Sequence, residues 1–138
     1  MVKVVLDEGA KMPTRAHGTD AGLDLYSRED KRIRARSSQK FDIGVHMAFE
    51  PRTYGKIESK SGLNVRHDIV SCGGVVDEGY TGSITVKLYN LSDYDYTVKK
   101  GDKIAQLVIM RYETPELELV DRLDETERGT GGFGSTGR

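Results

Sequence analysis

The sequence predicts an all-β protein: a jelly-roll-like barrel or sandwich with at most one short helix. Three observations carry the prediction. Phe41, Ile43, Val45, Met47 and Phe49 alternate with Asp42, Gly44, His46 and Ala48, and Ile84, Val86 and Leu88 alternate with Thr85, Lys87 and Tyr89. That is the two-residue period of a strand with one buried face. Turn-forming residues punctuate the chain at Gly22, Ser37-Ser38, Pro51, Gly62, Gly73-Gly74, Gly79, Ser92-Asp93 and Gly101-Asp102. Apolar spacing of helical period is nearly absent. Many short strands divided by turns fold as a sandwich or closed barrel.

Shorter apolar runs add strands at residues 2–6, 69–76, 104–112 and 117–123. The one helix expected is short, from Gly62 to His67. Residues 1–123 read as one domain without internal repeat. Residues 124–138 form a separate arm, rich in glycine and with Phe133 as its only large apolar side chain. Such a segment has too little apolar surface to pack by itself.

A chain of 138 residues is long enough for a core. Its net charge of −1 gives no global field toward nucleic acid or an anionic membrane. No run approaches membrane-spanning length, and the N-terminal run is too short for a signal peptide. The chain therefore reads as cytoplasmic, with neither nucleic acid nor membrane as partner. Cys72 is the only cysteine, which excludes an internal disulfide. Its small, apolar neighbours suggest a packing role. His17, His46 and His67 lack metal-ligand spacing. A modest apolar fraction without tryptophan predicts a thin core and makes association plausible.

Five segments could carry chemistry. Asp24 lies between Leu23 and Leu25, where a carboxylate needs a partner: a metal-bound water, an arginine, backbone amides or its own turn. Lys60, Ser61 and Gly62 would form an anion site if Gly62 opens a helix, and a charged surface turn if not. Residues 73–82 read as a hairpin. Its backbone could read the edge of a flat base, Asp77 could take a proton from water, and Tyr80 could pack on a sugar. Gln106, inside an apolar strand, needs either a ligand oxygen or a structural hydrogen bond. In the arm, the glycine amides suit an anion, Arg128 offers a forked cation, Ser135 and Thr136 offer hydroxyls, and Phe133 offers a face for a base. The spacing Gly129-x-Gly131-x-x-Gly134 matches a dinucleotide fingerprint only in letters, because no βαβ unit surrounds it.

In this order the segments resemble the five motifs of the trimeric deoxyuridine triphosphatase family. The matching stretches are Ala21-Gly22-Leu23-Asp24-Leu25, Lys60-Ser61-Gly62-Leu63, Gly74-Val75-Val76-Asp77-Glu78-Gly79-Tyr80-Thr81-Gly82, Gly101-Asp102-Lys103-Ile104-Ala105-Gln106-Leu107, and the arm from Arg128 to Gly137. The resemblance implies a homotrimeric jelly roll with three sites at subunit interfaces, each closed by a neighbour's arm. It implies hydrolysis of dUTP to dUMP and pyrophosphate with Mg²⁺ on the triphosphate. Asp77 is then the base. The backbone of Gly74, Val76 and the return strand near Thr85 reads uracil, and Tyr80 excludes a ribose hydroxyl. Lys60, Ser61, Gly62 and Gln106 hold phosphates, and Asp24 supports the metal through water. Arg128, Gly134, Ser135 and Thr136 clamp the distal phosphates, and Phe133 caps the base. Two departures stand out. Lys60 replaces the usual arginine and loses its bidentate fork. Glu58 and Asn64 flank the second motif where small or apolar residues are usual, and Glu58 is expected to point to solvent.

Overall fold

The computed structural model describes residues 1–72 and 74–137. Gly73, the first residue of the expected hairpin, and Arg138, the last of the arm, lie outside the described residues. Among the described residues, eleven strands and one helix follow in order: β1 Lys3–Leu6, β2 Gly22–Tyr26, β3 Lys31–Ile33, β4 Ser38–Asp42, β5 Val45–Ala48, β6 Thr53–Ser59, α1 Ser61–His67, β7 Ile69–Ser71, β8 Val75–Val76, β9 Thr85–Asn90, β10 Tyr96–Val98 and β11 Lys103–Arg111. All ladders are antiparallel. They run β2-β11-β6-β8, β4-β9-β7, β1-β5 and β3-β10. Most neighbours in the sheets are distant in sequence, as jelly-roll crossovers require.

The alternation seen in the sequence faces inward as expected. Phe41, Ile43, Val45, Met47 and Phe49 are buried, and so are Ile84, Val86 and Leu88. Gly44 divides the first series into β4 and β5. Its φ of 67° is a left-handed conformation that glycine adopts without steric cost. Leu25, Ile33, Ile57, Val98, Ile104 and Leu107 complete one contiguous core.

One irregularity positions the site. Along β11, Lys103 faces Tyr26 but Ala105 faces Leu25, so Ile104 is an extra residue in a bulge. Ile104 and Ala105 are therefore both buried in succession. The bulge also changes parity. Lys103 and Gln106 are an odd number of residues apart and would otherwise face opposite ways. With the bulge, both stand on the face that carries Asp24, which pairs directly with Gln106.

Three expectations are corrected. Residues 117–123 form no strand, and Leu117, Leu119 and Leu123 are almost fully exposed, since no strand among the described residues pairs with them. Cys72 is exposed rather than packed, since it follows the end of β7 in a connection. Finally, the described part of the expected 73–82 hairpin, residues 74–82, does not form one. β8 pairs with β6, through Gly55↔Val76 and Lys56↔Val75, while β9 pairs with β4 and β7. Ile84 is already bonded to β5 through Val45 and to Ile43, so the chain has changed sheets before β9 begins.

Candidate active site

The clearest polar assembly is built on Asp24. It is 4 % exposed although it faces away from the core. The segment carrying Thr14 runs beside β2, and the Asp24 amide donates to the Thr14 carbonyl at 2.7 Å. Lys60 Nζ approaches one carboxylate oxygen to 2.6 Å, and Lys103 Nζ approaches the other to 2.7 Å. Lys60 arrives from the end of β6 and Lys103 from the bulged start of β11. Burial works to raise the Asp24 carboxyl, but the Lys103 and Lys60 hydrogen bonds outweigh it and hold the group below the ordinary carboxylate range. The same pair holds the Lys103 ammonium above its ordinary value.

A depressed carboxyl stabilises the fold above its unfolded value, ~3.9, and that stability is lost as pH falls through the lower folded value. Asp24→Asn leaves two lysines facing each other without a counter-charge. It is expected to cost roughly 1–2 kcal/mol at neutral pH, the lysines being partly solvated. The loss of stability below about pH 4 should also become shallower. Urea titrations of both proteins across that range check this.

A cleft of about 430 Å³ opens here, bordered by Gly22, Asp24, Lys60, Lys103 and Gln106. Gln106 is half-buried and donates to the Ser59 carbonyl at 3.0 Å. Its amide oxygen stands where a Cβ on Gly22 would be, 2.2 Å away, so glycine is required for this rotamer. A structural partner thus exists for Gln106, and its edge still borders the cleft. Helix α1 starts at Ser61, with extended Lys60 as its N-cap and no side chain capping it. Nothing lies within 4 Å of a Cβ built on Gly62, so packing within this chain does not demand glycine there. Glu58 is on the Asp24–Gln106 face of the sheet, but it pairs along its own strand with Lys56 at 2.6 Å and does not border the cleft.

The second group of candidates is elsewhere. Gly74, at φ 106°, packs so closely on β6 that an added Cβ would stand 2.6 Å from Ile57, and its carbonyl accepts from the Ile57 amide. Val76 is buried opposite Gly55, while Thr85 is exposed opposite Asp42 in the other sheet. Between them the chain turns through Asp77, whose carbonyl accepts from the Tyr80 amide at 3.0 Å. The Asp77 side chain is exposed. Its neighbour Glu78 accepts from the Tyr112 hydroxyl at 2.5 Å and from the Arg52 amide at 2.9 Å, which ties the turn to the barrel. The Tyr80 ring lies against Gly82 and donates its hydroxyl to the Ser83 carbonyl.

The two groups stand at opposite ends of β6. Val76 is registered with Gly55, whereas Lys60 follows the strand's last residue. Five residues of strand span roughly 16 Å. Among the described residues, the hydrogen bonds of the arm run only within it. Arg128 donates to the Gly131 carbonyl within the arm, Phe133 is wholly exposed at φ 52°, and Gly134, Ser135 and Thr136 are exposed. The structure therefore gathers Asp24, Lys60 and Gln106, holds Gly74 to Thr85 apart from them, and folds the arm into local turns bonded within itself. Sequence reasoning missed Lys103 as a site residue. Its place in the fourth matching stretch, three residues before Gln106, was the available signal, and alternation argued against it.

Two lysines around one depressed carboxylate, beside an uncapped helix start on a β-barrel, are the equipment of a protein that handles a phosphorylated ligand. The chain belongs to the dUTPase family, whose sequence model matches residues 8–137. It is 46% identical over 132 residues to the deoxyuridine 5'-triphosphate nucleotidohydrolase of Arabidopsis thaliana, covering 96% of this chain and 80% of that one. It is 42% identical over 134 residues to the enzyme of the same name from Yarrowia lipolytica, covering 96% and 85%. The fold resembles the Staphylococcus bacteriophage 80alpha dUTPase with dUPNHPP, at TM-score 0.94 and 30% identity over 100% of this chain and 99% of that one. It also resembles a mutant dUTPase of phage phi11 of S. aureus described with a structural Mg(II) ion, at TM-score 0.83 and 28% identity over 88% and 97%.

Proposed function

We propose that the protein hydrolyses dUTP to dUMP and pyrophosphate by attack of water on the α-phosphate, removing dUTP from the nucleotide pool and supplying dUMP. The observation that carries the reading is the cleft in which Lys60, Lys103 and Gln106 converge around buried Asp24. Lys60 and Lys103 meet the phosphates, with Ser61, Gly62 and Gln106 beside them. Asp77, exposed at its turn, orients and deprotonates the attacking water. Gly74, Val76 and Thr85 present backbone to uracil, and Tyr80 fills the space of a ribose 2′-hydroxyl.

The donor chemistry suits Mg²⁺, which keeps several waters and takes one or two carboxylates together with substrate phosphates. Asp24 is such a single carboxylate, and it would hold the ion through water once a lysine turns to the phosphates. When bound, the ion neutralises charge on the triphosphate. The separation of Lys60 from Asp77 along β6 supports a homotrimer whose sites combine segments from different chains. So do the exposed Leu117, Leu119 and Leu123. In that assembly Arg128, Gly134, Ser135 and Thr136 clamp a neighbour's phosphates, and Phe133 caps its base. The residue set 124–138 is the closing arm and 1–123 the barrel.

No helix among the described residues is long and apolar enough to cross a membrane. We place the activity in the cytoplasm, which fractionation checks. The chemical test is a substrate panel with Mg²⁺. Pyrophosphate is expected from dUTP and little from UTP or dCTP. Ammonia release from dCTP, or equal turnover of UTP, would overturn the reading.

A further inference from the structure

We propose that His46 is a positioning residue for substrate binding, holding the Tyr80 turn through a doubly protonated imidazole that bridges Thr81 and Asp7. The proposal rests on the role given above to Tyr80, and one of its two readouts does not involve turnover. His46 Nδ1 is 2.8 Å from the Thr81 carbonyl oxygen, and Nε2 is 3.1 Å from an Asp7 carboxylate oxygen. A carbonyl and a carboxylate accept hydrogen bonds and do not donate them. Both ring nitrogens must therefore donate, and only the imidazolium does so.

The bridge joins three parts of the fold. His46 sits on β5 directly opposite Val5 of β1, Asp7 follows β1, and Thr81 follows Tyr80 in the loop between the two sheets. Two residues on, Ser83 Oγ bonds to Asp42 of β4. The loop is thus pinned on both sides of Gly82, the residue against which the Tyr80 ring lies. The Tyr80 hydroxyl donates to the Ser83 carbonyl and its ring lies on Gly82, so the place of the ring is set by how firmly Thr81 and Ser83 are held.

Four charged groups surround the bridge. Asp7 contacts the ring directly, and Asp42 lies beyond it. Arg28 opposes them from the strand connection after β2, 3.7 Å from Asp7 and 3.0 Å from Asp42. Lys3 stands on the same face of β1 and borders the same groove. The Thr81 carbonyl first, and then Asp7, holds the His46 imidazolium above its ordinary value. A raised value means that the bridge is complete at low pH and broken as pH rises through the folded value. The neutral ring keeps one N–H, so either Thr81 or Asp7 is released.

Two measurements test this on the full chain. In ¹⁵N imidazole NMR spectra of the wild type, both His46 nitrogens should remain protonated past about pH 6.5, the ordinary midpoint of histidine. A ring already neutral at pH 6 would overturn the proposal. In steady-state kinetics with dUTP and Mg²⁺, the wild-type KM should rise about fivefold between pH 6 and 8.5, the size of roughly one hydrogen bond. His46→Gln should hold the higher KM throughout, with kcat within about twofold. The substrate's own titration is common to both proteins and cancels in the comparison. A wild-type pH profile in His46→Gln, or a lower kcat at unchanged KM, would overturn the positioning role. If the wild type released no pyrophosphate from dUTP at any pH, the proposed function would fail, and the NMR titration would still decide the bridge.

Discussion

Asp77→Asn is expected to lower kcat for dUTP about a thousandfold, within the span of general-base contributions, and to leave KM within a few fold. The structure makes this a clean substitution. The Asp77 side chain is exposed, and the bond that shapes its turn runs from the Tyr80 amide to the Asp77 carbonyl, which asparagine retains. Glu78 fixes the turn independently through Tyr112 and Arg52. The unfolding midpoint should therefore stay the same, and asparagine keeps the shape of the side chain while losing its basicity. Single-turnover release of pyrophosphate measures the effect. Turnover near the wild-type rate would remove Asp77 from the role of base.

Ending the chain at Asp124 should reduce kcat/KM for dUTP by about a hundredfold or more, because an arm that excludes water strengthens every charge–phosphate contact beneath it. Stability should not follow. Beyond Thr114, the hydrogen bonds of the tail among the described residues run only within the tail, as between Arg128 and Gly131. Equal urea midpoints with unequal turnover would separate a closing role from a structural one. A truncated protein as fast as the full chain would exclude closure by Arg128 and Phe133.

Much of the barrel was legible because its central strands bury one face and expose the other. Phe41 to Phe49 and Ile84 to Leu88 show that pattern directly. β6, whose sequence is TYGKIES, and the three-residue strands β3 and β10 show it poorly, because few of their side chains are apolar and partners distant in sequence define them. The run at residues 117–123 was misleading for the opposite reason. It has the composition of a strand but no partner strand among the described residues. At the site, Asp24, Lys60 and Gln106 were readable as polar residues in apolar or glycine-rich settings. Lys103 was not, because only the bulge at Ile104 turns it toward Asp24, and parity in the sequence hides a bulge. The sheet change between Val76 and Thr85 was hidden as well, since a turn signal does not say which strands its two ends will join.

The exposed Leu117, Leu119, Val120 and Leu123 also bear on how the protein survives its own synthesis. If the protein assembles as the proposed homotrimer, a newly released chain that has met no other copy carries this apolar ribbon into solvent. Such a ribbon is a site for indiscriminate sticking. The hazardous interval is then the time between release and encounter, and it shortens as the local concentration of like chains rises. Soluble yield should thus depend on how closely in space and time the copies are made, more than on how fast each barrel folds.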